Sequence, residues 1–270
     1  MSFLAHARSH GLIIKDLIAD DRIHAVPTED HPRKRNGRYR FTGRSGWVQN
    51  WAVDDKPDPY RPNGAPISQA MLRRVEKDDR EAIGKRHLEA RKEARRIINA
   101  SVVATHPYLV SKGFPAAVAL TFDGDLIIPM MEFGKTTLNG LQRISPAGEK
   151  KFLPGTKAKG SAFVIGSKRR ESWLVEGYGT ALSVHAALHD LRREANVIVC
   201  FSAGNVVEIA PHCKPPAFIM ADNDASQAGE QAAVKTGLPW VMPPEVGLDA
   251  NDYHKARGLR ALCKLMLELI

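Results

Sequence analysis

Residues 173–185, WLVEGYGTALSVH, and residues 217–224, AFIMADND, decide the fold. Each begins as a short apolar run, as expected of a strand covered on both faces of a parallel sheet. Each run ends in acid and gives way to small residues and a helical pattern. In an open α/β sheet, chemistry collects where strands end and helices begin. Glu176 closes the first of these strands, and Asp222 and Asp224 close the second. Three carboxylates gathered at strand ends call for a divalent cation, and an all-oxygen donor set favours Mg²⁺ or Mn²⁺. Magnesium held by a few carboxylates typically works on phosphates.

Around these two runs the pattern alternates. Strands are expected at 172–176, 197–202, 217–222 and 239–242. Helices are expected at 179–190, 205–210 and 226–236. Such alternation predicts an α/β sheet. The ordered pair EGYGTA (176–181) and DND (222–224) resembles a Toprim domain, the metal-binding module of bacterial-type primases, topoisomerases and some nucleases. The E-G-Y-x-T-A form is similar to primases of conjugative plasmids, phages and their satellites. The resemblance implies an open, mainly parallel sheet flanked by helices over 171–255. It implies catalytic metal on Glu176, Asp222 and Asp224.

The segment GLDANDYH (247–254) is similar to the acidic stretch that closes the site in that family, which makes Asp249 and Asp252 candidates for a fourth ligand or a supporting acid. Here a Leu-Asp-Ala stands where an aromatic is common. FSAGN (201–205) resembles the family's loop after the second strand. Ser202, Gly204 and Asn205 would approach nucleotide phosphate through backbone N–H groups, and Asn205 reads equally well as a helix cap. Tyr178 and His254 read as structural.

The stretch before this domain, 105–170, resembles the small mixed α+β subdomain that precedes Toprim in such primases. Its strands are expected at 118–122, 126–133, 138–145, 150–155 and 162–166, after a short helix that starts at Pro107 and stops at Gly113. The family's basin for template and nucleotide maps to Gln142, Arg143, Lys150, Lys151 and Lys159. Arginine suits a forked grip on phosphate and lysine supplies a mobile point charge. Lys157 and Lys168 read as solubilising turn residues.

Upstream, 1–53 reads as a small β-rich unit. RYRF alternates, with Tyr39 and Phe41 on one face, and these rings with Trp47 and Trp51 read as its core. The basic loop Arg33, Lys34 and Arg35 is a candidate nucleic-acid contact beside these aromatics. Residues 54–104 read as a Pro-rich linker, then a charged helix from an N-cap at Ser68 with an intermittent apolar stripe that includes Ala70, Met71, Val75, Ala94 and Ile97. That helix reads as solvated along its charged face or as lying along a nucleic-acid channel. Residues 256–270 read as a terminal amphipathic helix.

Lys and Arg total 39 against 30 Asp and Glu, a formal +9 that favours a polyanionic partner. Three scattered cysteines make no C-x-x-C pair, and the spacing of His6, His10, His24 and His31 matches no zinc pattern, so no zinc is expected. No signal peptide is legible and no run reaches the roughly 18 apolar residues of a membrane span. A cytoplasmic protein with no membrane partner is the expectation. No Walker P-loop occurs, so no helicase module is expected here. The resemblance therefore implies a primase core, standing alone or excised from a longer chain. It would make RNA primers on single-stranded DNA from NTPs, a DNA-directed RNA polymerase of plasmid or phage-type replication, with a replicative helicase as a separate partner. The alternatives are a Toprim nuclease or nicking enzyme and a non-catalytic module that binds single-stranded nucleic acid.

Overall fold

The computed structural model describes residues 1–61, 69–166 and 171–269, with side chains from 69 to 79 excepted. Ser68 and Lys168, and the side chains of Ala70, Met71 and Val75, lie outside the described residues. The elements are α1 (Phe3–Ser9), β1 (Ile23–Val26), β2 (Gly37–Phe41), β3 (Gly46–Asn50), β4 (Asp58–Tyr60), α2 (Gln69–Ala100), β5 (Val102–Ala104) and α3 (Pro107–Ser111). There follow β6 (Ala119–Phe122), β7 (Asp125–Glu132), β8 (Leu138–Ile144), β9 (Lys150–Phe152), β10 (Ser161–Ile165), β11 (Glu171–Val175) and α4 (Tyr178–Asp190). The last are β12 (Ala195–Val199), α5 (Ala203–Ile209), β13 (Ala217–Met220), α6 (Ala228–Thr236), β14 (Trp240–Val241), α7 (Ala250–Arg257) and α8 (Leu259–Leu267). Two compact units divide the chain, Met1–Arg80 and Glu81–Ile270, and the division falls inside α2.

In the first unit, β1 to β4 form an antiparallel meander in chain order. The core is small: Phe3, Ala7, Leu12, Tyr39, Val48 and Tyr60 are buried together, with Phe41 packed against them. Phe3 stacks on Phe41 at 4.3 Å, so α1 supplies a ring that the sequence pattern did not promise. Trp51 departs from expectation. It lies 65% exposed with Arg38 over its ring at 5.0 Å, because β3 has ended at Asn50 and the residue sits in the following turn. The Pro-rich segment read as linker carries β4, a short edge strand that tolerates Pro59 because an edge can spare an N–H.

In the second unit ten strands among the described residues join one mixed sheet, ordered β14-β13-β11-β12-β10-β7-β6-β5, with β8 on β7 and β9 on β8. β11 pairs in parallel with β12 and with β13, and β13 with β14. The pattern predicted this parallel portion. It did not predict that the preceding strands continue the same sheet. They do so through β10, antiparallel to β12 on one edge and to β7 on the other. Trp173, Val175, Val197, Val199 and Met220 pack with Val184 and Leu188 of α4 and with Leu262, Leu265 and Met266 of α8 on one face. Leu174, Ile198, Ile219, Val206 and Ile209 form the core on the other. Both faces are therefore covered, which explains the unbroken apolar runs. Ala94 and Ile97 of α2 close a further cluster over Ile127 and Leu141. Among the described residues no helix is long and apolar enough to cross a membrane.

Candidate active site

Parallel neighbours β11 and β13 end side by side, so the residues just past them share one edge of the sheet. Glu176 is the first residue beyond β11, and Asp222 lies two beyond β13. Loop 222–224 is then fixed from the far side. Asn223 N donates to Leu248 O at 3.1 Å, Asn223 Nδ2 donates to Pro243 O at 2.8 Å, and Gly247 N donates to Asn223 O at 2.6 Å. These bonds bring the start of α7 to the same edge. Asp249 is its N-cap, and its Oδ1 accepts from Asp252 N at 2.8 Å.

Electrostatics identify which acids act on one another. Burial raises the Asp222 carboxyl to about 7, helped by the negative charges of Glu176, Asp249 and Asp224, while Lys150 opposes the shift. Burial also raises Glu176, with Asp224 adding and both the Ala203 N–H and Lys150 opposing. Asp224 is held below the carboxylate range by hydrogen bonds, first from the Ser226 hydroxyl and then from backbone N–H groups that include Ser226 N at 2.7 Å. Asp222 Oδ1 is buried and has no hydrogen-bond partner among the described residues. An orphaned buried carboxylate oxygen is costly unless something positive meets it.

The two later acids divide. Asp249 acts on Asp222, whereas Asp252 faces Lys112 at 3.9 Å. Among the described residues the donors here do not close into a tight triad. Three such donors that do lie within 4.8 Å of one another are His6, His10 and Asp58, in the first unit. A loose acidic edge still fits magnesium, which keeps several waters and takes one or two carboxylates together with substrate phosphates.

Cations gather beside the acids. A cavity of about 340 Å³ is lined by Tyr108, Ser111, Lys112, Lys150 and Lys255, among others. Lys255 Nζ donates to Ser111 O at 2.7 Å, tying α7 to α3. Lys112 lies 6.0 Å from the Tyr108 ring. Buried Asn251 Nδ2 donates to Lys112 O at 2.8 Å and to Ser183 Oγ at 2.9 Å, and Ser183 Oγ pairs with His254 Nδ1 at 3.0 Å. Gly179 is needed for this closeness: a Cβ there would stand 2.9 Å from Tyr108 Oη and 3.0 Å from Lys112 Cε. The sequence reading missed Tyr108, Lys112 and Lys255. A signal was present, since Asp249 as N-cap and Gly258 as stop bracket a helix that turns Lys255 toward the site.

The remaining sequence candidates fall in three places. Among the basin candidates, Lys150 on β9 acts on Glu176 and Asp222. Arg143 on β8 turns to the acids of the β6–β7 hairpin, its Nε donating to Asp125 at 2.7 Å with Nη2 at 3.6 Å from Asp123. Gln142 beside it is buried. Lys151 pairs with Glu149 at 2.9 Å and Lys159 with Glu208 at 3.3 Å. Ser202 caps α5, accepting from Asn205 N, and Gly204 is exposed in that helix's first turn. Asn205 is buried and spent on structure: Nδ2 donates to Ser161 O and Cys200 O at 2.7 Å each, and Oδ1 accepts from Gly160 N at 2.8 Å. Arg33, Lys34 and Arg35 are exposed in the first unit. Tyr178 is buried with its ring 5.9 Å from Phe163, a structural position as expected.

Gly229 is the spacing element of the acidic edge. A Cβ there would stand 2.5 Å from Asp222 O and 3.1 Å from Asp222 N, so α6 leans on the Asp222 backbone through a bare Cα. Gly229→Ala is expected to push loop 222–224 outward. The cost should be about 1–3 kcal/mol, read by urea unfolding. Gly204→Ala, whose Cβ meets nothing within 4 Å, serves as control and should be neutral or slightly stabilising. Equal stability of the two variants would mean that α6 does not brace the loop.

No known protein-family model matches the chain. One similar solved structure holds bacteriophage T7 lagging-strand DNA polymerase interacting with the primase domains of two gp4 subunits bound to an RNA/DNA hybrid and dTTP. The likeness covers 63% of this chain and 91% of that chain, at 14% identity and a TM-score of 0.41. A likeness this loose carries no weight for the activity.

Proposed function

We propose that the chain is a Toprim-type primase that joins nucleoside triphosphates into short RNA primers on single-stranded DNA. The observation that carries this reading is the acidic edge. Glu176 and Asp222 stand just past the ends of adjacent parallel strands, Asp224 acts on both and Asp249 on Asp222, and one Asp222 oxygen is buried and unpaired among the described residues. The lysine-lined cavity beside it supports a phosphate-bearing substrate.

Asp222, Asp224 and Asp249 would hold Mg²⁺ or Mn²⁺. Bound there, the metal supplies Lewis-acid activation of a 3′-hydroxyl and neutralises triphosphate charge. Glu176, with its raised carboxyl, takes up the proton of the attacking hydroxyl or orients it. Lys150, Lys112 and Lys255 neutralise phosphate oxygens along the cavity. The exposed Arg33–Lys34–Arg35 loop contributes to grip on the template, and a helicase acting in trans would deliver the strand.

Primer synthesis on single-stranded DNA with labelled NTPs and Mg²⁺ or Mn²⁺, by the native chain and by Asp222→Ala, tests this. Short RNA products from the native chain alone are expected. Metal-dependent loss of the template without products would make the protein a nuclease at the same acids. Undiminished primer yield from Asp222→Ala would place the chemistry elsewhere.

A further inference from the structure

Two histidines and an aspartate of the first unit bring their donor atoms together. His6 lies on α1 and His10 caps it, four residues on, so their rings share a face, centroids 5.2 Å apart. Asp58 opens the edge strand β4, and its Oδ2 stands 3.2 Å from His6 Nε2 and 3.2 Å from His10 Nε2.

The second nitrogen of His10 also faces a carboxylate. Nδ1 lies 3.0 Å from Asp54 Oδ2 and 3.2 Å from Oδ1. Asp54 Oδ2 also accepts from Asn50 N at 2.7 Å, which fixes the carboxylate as an acceptor. With its proton on Nδ1, donated to Asp54, His10 keeps the Nε2 lone pair for a metal; with the proton on Nε2 it donates to Asp58 instead. His6 Nε2 is buried and makes no hydrogen bond, although Asp58 Oδ2 is within reach, because the ring N–H direction misses that oxygen. Three donor atoms, all within 4.8 Å of one another, thus converge: His10 Nε2 pairs with Asp58 Oδ2 at 3.2 Å, and His6 Nε2 is the buried donor left without a hydrogen bond among the described residues.

We infer that His6, His10 and Asp58 form a zinc site, with Asp54 holding His10 in the Nδ1–H tautomer. Donor atoms about 2.0–2.1 Å from a tetrahedral zinc ion lie roughly 3.3 Å apart, and the two N···O separations here match that spacing. Two imidazoles and one carboxylate suit Zn²⁺, and a carboxylate behind a ligating imidazole is the usual support for such a ligand. The fourth position is left to water. The metal pins α1 to the edge strand of the meander, joining residues 48 apart in the chain at His10 and Asp58. Histidine spacing alone could not reveal the site, because its third donor comes from the Pro-rich stretch that reads as linker. The inference revises the expectation that no zinc is bound.

The full chain in an Asp222→Asn background, which silences the acidic edge, is stripped with chelator and titrated with Zn²⁺ and, separately, Co²⁺. One tight equivalent is expected. Zinc-edge X-ray absorption of the otherwise unmutated protein should show nitrogen and oxygen neighbours with imidazole scattering. Asp54→Asn should weaken binding about 10- to 100-fold with the stoichiometry kept, and Asp58→Asn more than that, with circular dichroism confirming that each variant is folded. No tight equivalent, a sulfur shell from the cysteines, or zinc affinity indifferent to Asp58→Asn would each overturn the site. The absorption result decides even if a variant misfolds.

Discussion

Asp222→Asn is expected to abolish primer synthesis and, in the same molecule, to make the metal-free protein more stable. The loss should be at least about 100-fold, since under the proposed function Asp222 holds the activating metal. The gain follows from the carboxyl's environment. Folding raises the Asp222 carboxyl from 3.8 to about 7 because burial and three neighbouring acids penalise its charge. A folded-state value above the unfolded one means that the protonated form favours folding. Its stabilising contribution is full below the unfolded value, near 4, and is lost as pH rises through about 7. At about pH 8 in chelator the native chain carries this penalty and the amide does not, a difference on the order of 2–4 kcal/mol. Below about pH 4 the two should converge. Urea unfolding across that range makes the comparison. A variant less stable than the native chain at high pH would mean that the Asp222 charge already has a partner in the metal-free protein.

Arg193→Ala should be the most damaging single change away from the acidic edge. Glu171 begins β11 and is 5% exposed, a position where a carboxylate survives only if fully met. Arg193 Nε donates to its two oxygens at 2.9 and 3.0 Å, Arg193 Nη2 donates to Oε2, and Trp173 Nε1 donates to Oε1 at 3.1 Å. These bonds and the charge of Glu171 raise the guanidinium above its usual range. Removing the arginine strands a buried charge, at a cost of about 3–5 kcal/mol. Glu171→Leu with Arg193→Met should cost far less, because breaking a buried pair is worse than replacing it. Denaturant midpoints of the single and double variants decide the matter. A single-variant loss within the range of a surface ion pair, up to about 1 kcal/mol, would mean that solvent already serves Glu171.

Legibility in the sequence followed periodicity. The runs ending at Glu176 and Asp222 are buried on both faces, so they read as continuous apolar strands and fell within a residue or two of β11 and β13. α3 and α8 were equally plain, from Pro107 at a helix start and from the amphipathic pattern after Gly258. α1 was missed because seven residues are too few to show a period. β4 was missed because two prolines and a lysine flank or enter it. Partners set by long-range pairing were also invisible. Nothing local to Arg143 says that Asp125 claims its Nε, and nothing local to Lys112 says that Asp252 lies opposite. The acids were named from their positions at strand ends, and their mutual coupling needed the fold.

The short strand β10 has a consequence for how the second unit can move. It is hydrogen-bonded to β12 on one edge and to β7 on the other, so β9, which carries Lys150, and β11, which leads into Glu176, belong to one continuous fabric of backbone bonds. A seam of this kind resists opening like a hinge, because separating its sides would tear main-chain pairs rather than slide side chains past one another. The gap between the lysine and the carboxylates is therefore a built-in gauge. On the primase reading proposed above, any adjustment to a growing primer would fall to the strand being copied and to the loops at the rim.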